Sequence, residues 1–212
     1  MITQIWFDFG NIFIPIFPQR TRERMEDCGV QLNPEAFDAL NIEFEKGLIS
    51  EGEFLQELST SCKYLQSSRC VELAWNALLG DLHDNVLMLG KLKHEYNLAL
   101  VSNTNPTHIN HIRKTSGPFL WNQFIEKFDG HFFSYEIGCR KPEFDYFDHV
   151  LAAMDTLPEN VLFIDDSQQN IEAAQQLGLH TWQFNIHEGD LAKELPAVLA
   201  KLNEGATSVA GV

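Results

Sequence analysis

The sequence has little positive charge, few cysteines and no long apolar run. Its 212 residues contain 15 lysines and arginines against 30 aspartates and glutamates, which gives a formal net charge of −15 at pH 7. Nucleic acids and anionic membranes would repel such a chain, so we expect neither as a partner. The apolar runs fall short of the ~20 residues of a membrane span, and residues 1–7 lack the basic flank of a signal peptide. The expected location is therefore cytoplasmic.

Cysteine and histidine patterns indicate neither a disulfide framework nor a zinc site. None of the four cysteines belongs to a C-x-x-C motif: Cys28, Cys62, Cys70 and Cys139. In a chain of this length an even count alone does not imply disulfides, so all four are predicted to be reduced thiols. His108 and His111 could face together on a helix, but no cysteine or acidic residue accompanies them, which favours a solvated helix face.

Five short apolar runs alternate with segments of helical periodicity. The runs are QIWFDF, NLALVS, GHFFS, NVLFID and HTWQF, at residues 4–9, 97–102, 130–134, 160–165 and 180–184. Strands that alternate with helices in this way are typical of a parallel sheet covered on both faces. The sequence therefore predicts an α/β fold with a Rossmann-like, three-layer core.

The first two runs are separated by an unusually long segment with several helical patterns. A crossover between parallel strands needs only about a dozen residues. We therefore predict an inserted helical subdomain at residues 17–80, called the cap below, which emerges beside Asp8. The catalytic core is predicted at residues 1–16 and 81–203, and a flexible tail at residues 204–212.

Polar side chains stand at or just after the ends of the predicted strands. Because the carboxyl ends of parallel strands face one crevice, these residues are expected to share a pocket. The residues are Asp8, Ser102, Lys141, Asp165 and Asp166. Lys141 follows the third run at a greater distance, in the stretch GCRKPE.

This set of residue types suits the binding of a phosphoryl group. Adjacent carboxylates repel each other unless a cation lies between them, and together with Asp8 the pair Asp165 and Asp166 offers the oxygen ligands that Mg²⁺ prefers. The alternative for this pair is a helix cap. An ammonium, a hydroxyl and strand-end N–H groups would neutralise and bind phosphoryl oxygens.

Four segments, in order, resemble the motifs of the haloacid dehalogenase-like hydrolase superfamily: WFDFGN, LVSNT, GCRKPE and FIDDSQQNIEAAQQLG. The cap resembles the first type of helical cap in that superfamily, and EFEKGLISEGEF is similar to the cap of its sugar-phosphatase branch. The resemblance implies that Asp8 is a nucleophile that becomes an aspartyl-phosphate and that Lys141 orients it. It further implies a phosphate site at Ser102 and Asn103 with Lys141, and Mg²⁺ held by Asp8, the Gly10 carbonyl, Asp165 and Asp166.

The sequence departs from the superfamily pattern at Gly10. Most phosphatases of the superfamily carry a second aspartate there as general acid and base. The expected function is Mg²⁺-dependent hydrolysis of a small phosphorylated metabolite, such as a hexose 1-phosphate, whose leaving group is acidic. The alternative is a weakly catalytic or non-catalytic protein that binds a phosphorylated metabolite. In the cap, Arg20 and Glu45 are candidates for substrate contact, with a solvated helix face as the alternative for each.

Two other protein classes use similar residues. Receiver domains of two-component signalling place the acidic pair first and the lysine last, which is the reverse of the order seen here. A dehalogenase attacks carbon and needs no metal, so the pair Asp165 and Asp166 would lack its main purpose. The order of the motifs and the acidic pair both favour a phosphatase. The sequence does not indicate an oligomeric state.

Overall fold

A computed structural model describes residues 1–31 and 33–207. A five-stranded parallel sheet forms the centre of the fold. The strand order is β3-β2-β1-β4-β5. The strands are β1 (Gln4–Phe7), β2 (Asn97–Ser102), β3 (Gly130–Phe133), β4 (Val161–Asp165) and β5 (His180–Gln183). All five predicted runs form strands, and the predicted α/β fold is confirmed.

Four of the described helices between β1 and β2 form the cap. They are α1 (Pro18–Asp27), α2 (Pro34–Glu45), α3 (Glu51–Thr60) and α4 (Ser68–Trp75), followed by a 3-10 turn at Asn76–Leu78. Their apolar faces bury a separate hydrophobic cluster in which Phe54 stacks on Phe44 and packs against Trp75. The cap therefore holds its own shape through burial of aromatic surface.

The two chain connections between cap and sheet lie side by side. The backbone N–H of Phe17 donates to the Leu78 carbonyl at 2.8 Å, and that of Gly80 donates to the Pro15 carbonyl at 2.9 Å. The cap thus enters and leaves the sheet at one point, directly after the segment that carries Asp8.

Helices on both faces of the sheet complete three layers. They are α5 (Leu89–Leu92), α6 (Pro106–Ser116), α7 (Pro118–Ile125), α8 (Ser134–Ile137), α9 (Phe144–Ala153), α10 (Gln168–Gln176) and α11 (Leu191–Thr207). Further 3-10 turns are Asp84–Met88 and Pro158–Asn160. Ile5 and Phe7 pack in one hydrophobic cluster and Trp6 in the other, because successive strand side chains point to opposite faces. Among the described residues, no helix has the length and apolar character needed to cross a membrane.

Two expectations from the sequence are wrong. Cys28 and Cys70 form a disulfide, because the end of α1 packs against the first turn of α4. That contact joins segments far apart in the chain, so residue spacing did not reveal it. Residues 204–207, expected in a flexible tail, continue α11, whose Leu195 and Leu199 anchor the helix in the core. The rest of the expected tail lies outside the described residues.

Candidate active site

One cavity of about 350 Å³ lies at the carboxyl ends of the strands, between the sheet and the cap. The parallel register aligns Phe7 of β1 with Ile164 of β4, so the next residues, Asp8 and Asp165, stand side by side. All the site residues predicted from the sequence line this cavity except Asp165, which lies beneath it: Asp8, Gly10, Ser102, Asn103, Lys141 and Asp166. The structure therefore brings together residues from across the whole core.

Lys141 is the centre of the site. Its Nζ donates to Asp8 Oδ1 at 2.7 Å, to Asp165 Oδ2 at 2.6 Å and to the Val101 carbonyl at 2.9 Å. These are the three hydrogen bonds that an ammonium can donate, and the side chain is 1% exposed. Lys141 therefore holds one oxygen of Asp8 and leaves Oδ2 without a hydrogen-bond partner among the described residues.

Asp165 is fully occupied by protein donors. Its carboxylate accepts hydrogen bonds from the Ser167 backbone N–H at 2.8 Å and from Asn170 Nδ2 at 3.0 and 3.1 Å, in addition to Lys141. The side chain is completely buried. Its geometry therefore suits the fixing of Lys141 more than the direct binding of a ligand.

Asp166 is more open. One of its carboxylate oxygens accepts a hydrogen bond from Asn11 Nδ2 at 2.7 Å. Asn11 adopts a left-handed backbone with φ of 53°, a conformation that asparagine tolerates better than most residues. The carboxylates of Asp8, Asp165 and Asp166 offer oxygen atoms within 4.8 Å of one another, as a divalent cation requires. Three carboxylates against one ammonium leave the cluster short of positive charge, which fits the binding of Mg²⁺.

The electrostatics of the cluster fit the binding of a cation. Burial raises the pKa of Asp8 to about 7; Lys141 opposes the rise, and the neighbouring carboxylates add to it. Burial also raises the pKa of Asp166, against the hydrogen bond from Asn11. For Lys141, burial opposes the charged form, yet Asp165 and Asp8 raise its pKa above the ordinary value. The lysine is therefore charged at neutral pH.

Asn103 uses its side chain to hold the backbone of Lys141. Its Nδ2 donates to the Lys141 carbonyl at 2.8 Å, and its Oδ1 accepts from the Lys141 N–H at 2.9 Å. The side-chain amide is therefore committed to positioning, and the backbone N–H is the donor that Asn103 can offer to a ligand. Ser102 lies beside it at the end of β2 and is 3% exposed.

Gly10 faces an apolar wall. A Cβ at this position would lie 3.1 Å from Ile16 Cγ1 and 3.8 Å from Asp8 Oδ2. Ile16 therefore fills the space next to the nucleophile candidate that a side chain at position 10 would need. The contact with Ile16 was not predicted from the sequence, because it depends on the turn that follows Asp8.

His108 does not belong to a solvated helix face. It is buried at the cavity, and its ring stacks on Trp75 of the cap with centroids 4.8 Å apart. Asn105 Oδ1 accepts the His108 backbone N–H, so Asn105 Nδ2 is oriented toward His108 Nδ1 at 3.1 Å. Burial lowers the pKa of His108 to about 3, although the Trp75 carbonyl opposes the shift. His111 is half-buried on the same helix.

The two cap candidates have different positions. Glu45 lines the cavity, and its Oε2 lies 2.9 Å from Nε of Arg140, another residue of the cavity wall. Arg20 is exposed and lies over the ring of Phe17 at 3.8 Å, away from the cavity. Arg140 was missed by the sequence interpretation, although it precedes Lys141 directly in GCRKPE.

Comparison with known proteins agrees with this geometry. A family model for haloacid dehalogenase-like hydrolases matches residues 18–178. The chain is 27% identical over 206 residues to D-ribitol-5-phosphate phosphatase of Bacteroides thetaiotaomicron, covering 94% of this chain and 99% of that protein. It is 26% identical over 176 residues to a sesquiterpene phosphatase of Aspergillus oryzae, covering 82% and 85%.

This chain superposes with a TM-score of 0.80 on a solved structure of a haloacid dehalogenase (HAD) family enzyme from Bacteroides thetaiotaomicron. That enzyme was solved in complex with magnesium and inorganic phosphate. The two proteins are 31% identical, and the match covers 89% of this chain and 97% of that one. Over most of its length the chain therefore shares the architecture of an enzyme solved in complex with magnesium and phosphate.

Proposed function

The chain belongs to the haloacid dehalogenase-like hydrolase family, and we propose that it is a Mg²⁺-dependent phosphatase that hydrolyses a small phosphorylated metabolite through an aspartyl-phosphate on Asp8. One observation carries the proposal. Lys141 Nζ holds Oδ1 of Asp8 at 2.7 Å, while Oδ2 has no hydrogen-bond partner among the described residues. The carboxylate is thus fixed in orientation with one oxygen accessible at the cavity.

In the proposed reaction, a carboxylate oxygen of Asp8 attacks phosphorus, and the bond between phosphorus and the ester oxygen breaks. The leaving oxygen departs as an alkoxide or takes a proton from water. Water then attacks the aspartyl-phosphate, which releases inorganic phosphate and restores the carboxylate. Lys141 orients Asp8 and offsets the charge of the phosphoryl group, and the hydroxyl of Ser102 and the backbone N–H of Asn103 donate to phosphoryl oxygens.

The residues of the acidic cluster fit Mg²⁺. Asp8, Asp166 and the backbone carbonyl of Gly10 would hold the ion, and Asp165 would support it from below through its hydrogen bonds. When bound, Mg²⁺ neutralises charge on the carboxylates and on the phosphoryl oxygens. The charge deficit of the cluster, with three carboxylates against one ammonium, supports this assignment.

The proposed substrate is a sugar phosphate such as a hexose 1-phosphate. Gly10 has no side chain that could donate a proton to the leaving group, and Ile16 beside it is apolar, so an acidic anomeric leaving group suits the site. A relative named for ribitol 5-phosphate supports a polyhydroxylated leaving group, although that substrate is a primary ester. The cavity of about 350 Å³ is within the range of small-molecule sites.

Phosphate release from a panel of phosphomonoesters, with Mg²⁺ and with a chelator, tests the proposal. We expect release that requires Mg²⁺ and that is fastest with anomeric sugar phosphates. No release from any ester in the presence of Mg²⁺, including a small aryl phosphate, would refute catalysis. In that case a rise in melting temperature with a phosphate ester would favour the binding protein instead.

A further inference from the structure

Besides Lys141 and the acidic cluster, the cavity has a second pair of charged residues. Glu45 reaches it from the end of α2 in the cap, and Arg140 reaches it from the core. Both side chains are largely withdrawn from solvent, at 13% and 24% exposure. The cavity wall also includes apolar side chains such as Ile16 and Leu79.

Glu45 and Arg140 form an ion pair that leaves part of their hydrogen-bonding capacity available. Glu45 Oε2 lies 2.9 Å from Arg140 Nε, but neither atom has a partner with good hydrogen-bond geometry. Glu45 Oε1 accepts one hydrogen bond from Asn41 at 3.2 Å. The two terminal nitrogens of Arg140 make no hydrogen bond to a described residue, and a guanidinium can donate five. Both groups therefore have capacity left for a ligand.

Stability does not explain this pair. A buried ion pair costs more desolvation than a hydrophobic pair of similar volume, and replacing it with apolar residues is often neutral or stabilising. Burial raises the pKa of Glu45 even though Arg140 opposes the shift, which shows how strongly the site desolvates the carboxylate. Charged groups that lie in a cavity wall despite this desolvation cost indicate a ligand that contacts them.

The balance of charge identifies the kind of ligand. A hydroxyl group both donates and accepts hydrogen bonds, so neighbouring hydroxyls can donate to a carboxylate and accept from a guanidinium. A second phosphate or a carboxylate on the leaving group would meet an arginine that Glu45 already neutralises, in a chain with a net charge of −15. An apolar leaving group would desolvate both side chains and offer no partner to either.

We propose that Glu45 and Arg140 bind the hydroxyl groups of the leaving group, so that the substrate is the phosphate ester of a neutral polyhydroxylated compound. The inference rests on the proposed phosphatase function and names its substrate class. Because one residue belongs to the cap and the other to the core, the binding contact forms where the two parts meet.

A neighbouring ion pair provides a matched control. Lys46 Nζ lies 2.6 Å from Glu143 Oε1, which also joins cap to core, but neither residue lines the cavity. Directly after Lys46, Gly47 has φ of 65°, and a Cβ there would collide with the Tyr135 carbonyl, so this turn of the cap is in close contact with the core. A role in holding the cap closed would affect both ion pairs alike, whereas substrate recognition concerns Glu45 and Arg140.

The experiment compares two phosphate esters that differ in hydroxyl groups but are both primary and of equal chain length. Ribitol 5-phosphate and n-pentyl phosphate are assayed with Mg²⁺ on the full chain, and the ratio of their kcat/KM values is taken for each variant. We expect Glu45→Gln and Arg140→Lys to lower the ratio at least about tenfold, the size of hydrogen bonds to charged groups. Lys46→Gln and Glu143→Gln should leave the ratio within about twofold of the unmodified protein.

Two outcomes would overturn the inference. One is an unchanged ratio in folded Glu45→Gln and Arg140→Lys, with folding checked by circular dichroism. The other is an equal fall of the ratio in the Lys46→Gln control, which would show a cap-closing role. If Glu45→Gln fails to fold, Arg140→Lys, which keeps the charge but changes the donor geometry, decides alone. Absence of hydrolysis of 4-nitrophenyl phosphate by the unmodified protein would instead refute the proposed function itself.

Discussion

Lys141 Nζ lies 2.6 Å from Asp165 Oδ2, and both side chains are buried beneath the cavity. Removal of the ammonium leaves two buried carboxylates, Asp8 and Asp165, without their cation. We expect Lys141→Met to lower the free energy of unfolding by about 3–5 kcal/mol and to abolish turnover. Urea unfolding in the presence of a chelator measures the first effect, and phosphate release measures the second.

A double variant separates these two effects. Lys141→Met combined with Asp165→Asn removes one of the uncompensated charges and should recover part of the stability, but no activity. If Lys141→Met alone unfolds at the same urea concentration as the unmodified protein, the buried ion pair does not have the structural role assigned to it.

Asp8→Asn tests the covalent mechanism. The amide cannot serve as the nucleophile, so we expect turnover to fall to background while the circular dichroism spectrum is retained. In the unmodified protein, acid quenching during turnover should trap a phosphorylated protein, detectable by intact mass, and the variant should show none. Substantial residual hydrolysis by Asp8→Asn would exclude attack by this carboxylate.

Asp166→Asn should weaken Mg²⁺ binding more than it disturbs the fold, because among the other described residues only the Asn11 side chain donates a hydrogen bond to the Asp166 carboxylate, whereas several donate to that of Asp165. A ligand at 100 times its dissociation constant stabilises a protein by about 2.7 kcal/mol. We therefore expect the Mg²⁺-induced rise in melting temperature to shrink at a fixed Mg²⁺ concentration. A rise of unchanged size would show that Asp166 is not a ligand.

Because Gly10 has no side chain to act as a general acid, we expect the protein to prefer substrates with acidic leaving groups. General acid catalysis contributes about 10²–10⁴-fold, and its absence should slow primary esters more than anomeric or aryl phosphates. Gly10→Asp alone would crowd Ile16, whose Cγ1 lies 3.1 Å from the Cβ position, so the test adds Ile16→Ala. Relative to the single variant Ile16→Ala, the double variant should speed primary esters more than hexose 1-phosphates.

The order of product release gives a second measurement for the same position. Without a base at Gly10, water attack on the aspartyl-phosphate should be slow. Stopped-flow kinetics with an aryl phosphate should then show a burst of the aryl leaving group before the slower release of phosphate. Equal rates on primary and anomeric esters, with no burst, would mean that another residue supplies the proton.

His108 should make stability depend on pH. Burial lowers its pKa from the ordinary 6.5 to about 3 in the folded chain, so the unfolded chain binds a proton that the folded chain does not. Above pH 6.5 the imidazole is neutral in both states, and the full free energy of unfolding is present. As the pH falls from 6.5 toward 3, protonation of His108 in the unfolded chain lowers the free energy of unfolding by about 1.4 kcal/mol per pH unit. His108→Phe keeps an aromatic ring against Trp75 and should show a smaller loss of unfolding free energy between pH 7.5 and 5.5. Equal losses would contradict the buried, neutral imidazole.

The sheet and the central residues of the candidate site were predictable from the sequence. Apolar runs are local signals, and the first, second and fourth runs carry a polar site residue at the end where parallel strands share one edge. For that reason Asp8, Ser102 and Asp166 could be assigned to one pocket without knowledge of the packing. The long segment between the first two strands likewise indicated the helical insertion, because a crossover needs far fewer residues.

The tertiary structure decided how the helices of the cap pack together and how the cap meets the core. The contact between Glu45 and Arg140, the stacking of His108 on Trp75 and the disulfide of Cys28 with Cys70 each join segments far apart in the chain. No periodicity or local spacing encodes such contacts, because they follow from the packing of complete helices against one another and against the sheet. The sequence by itself thus determined which strand ends carry the reactive groups, while the shape of the cavity around the substrate came from the packing of the cap.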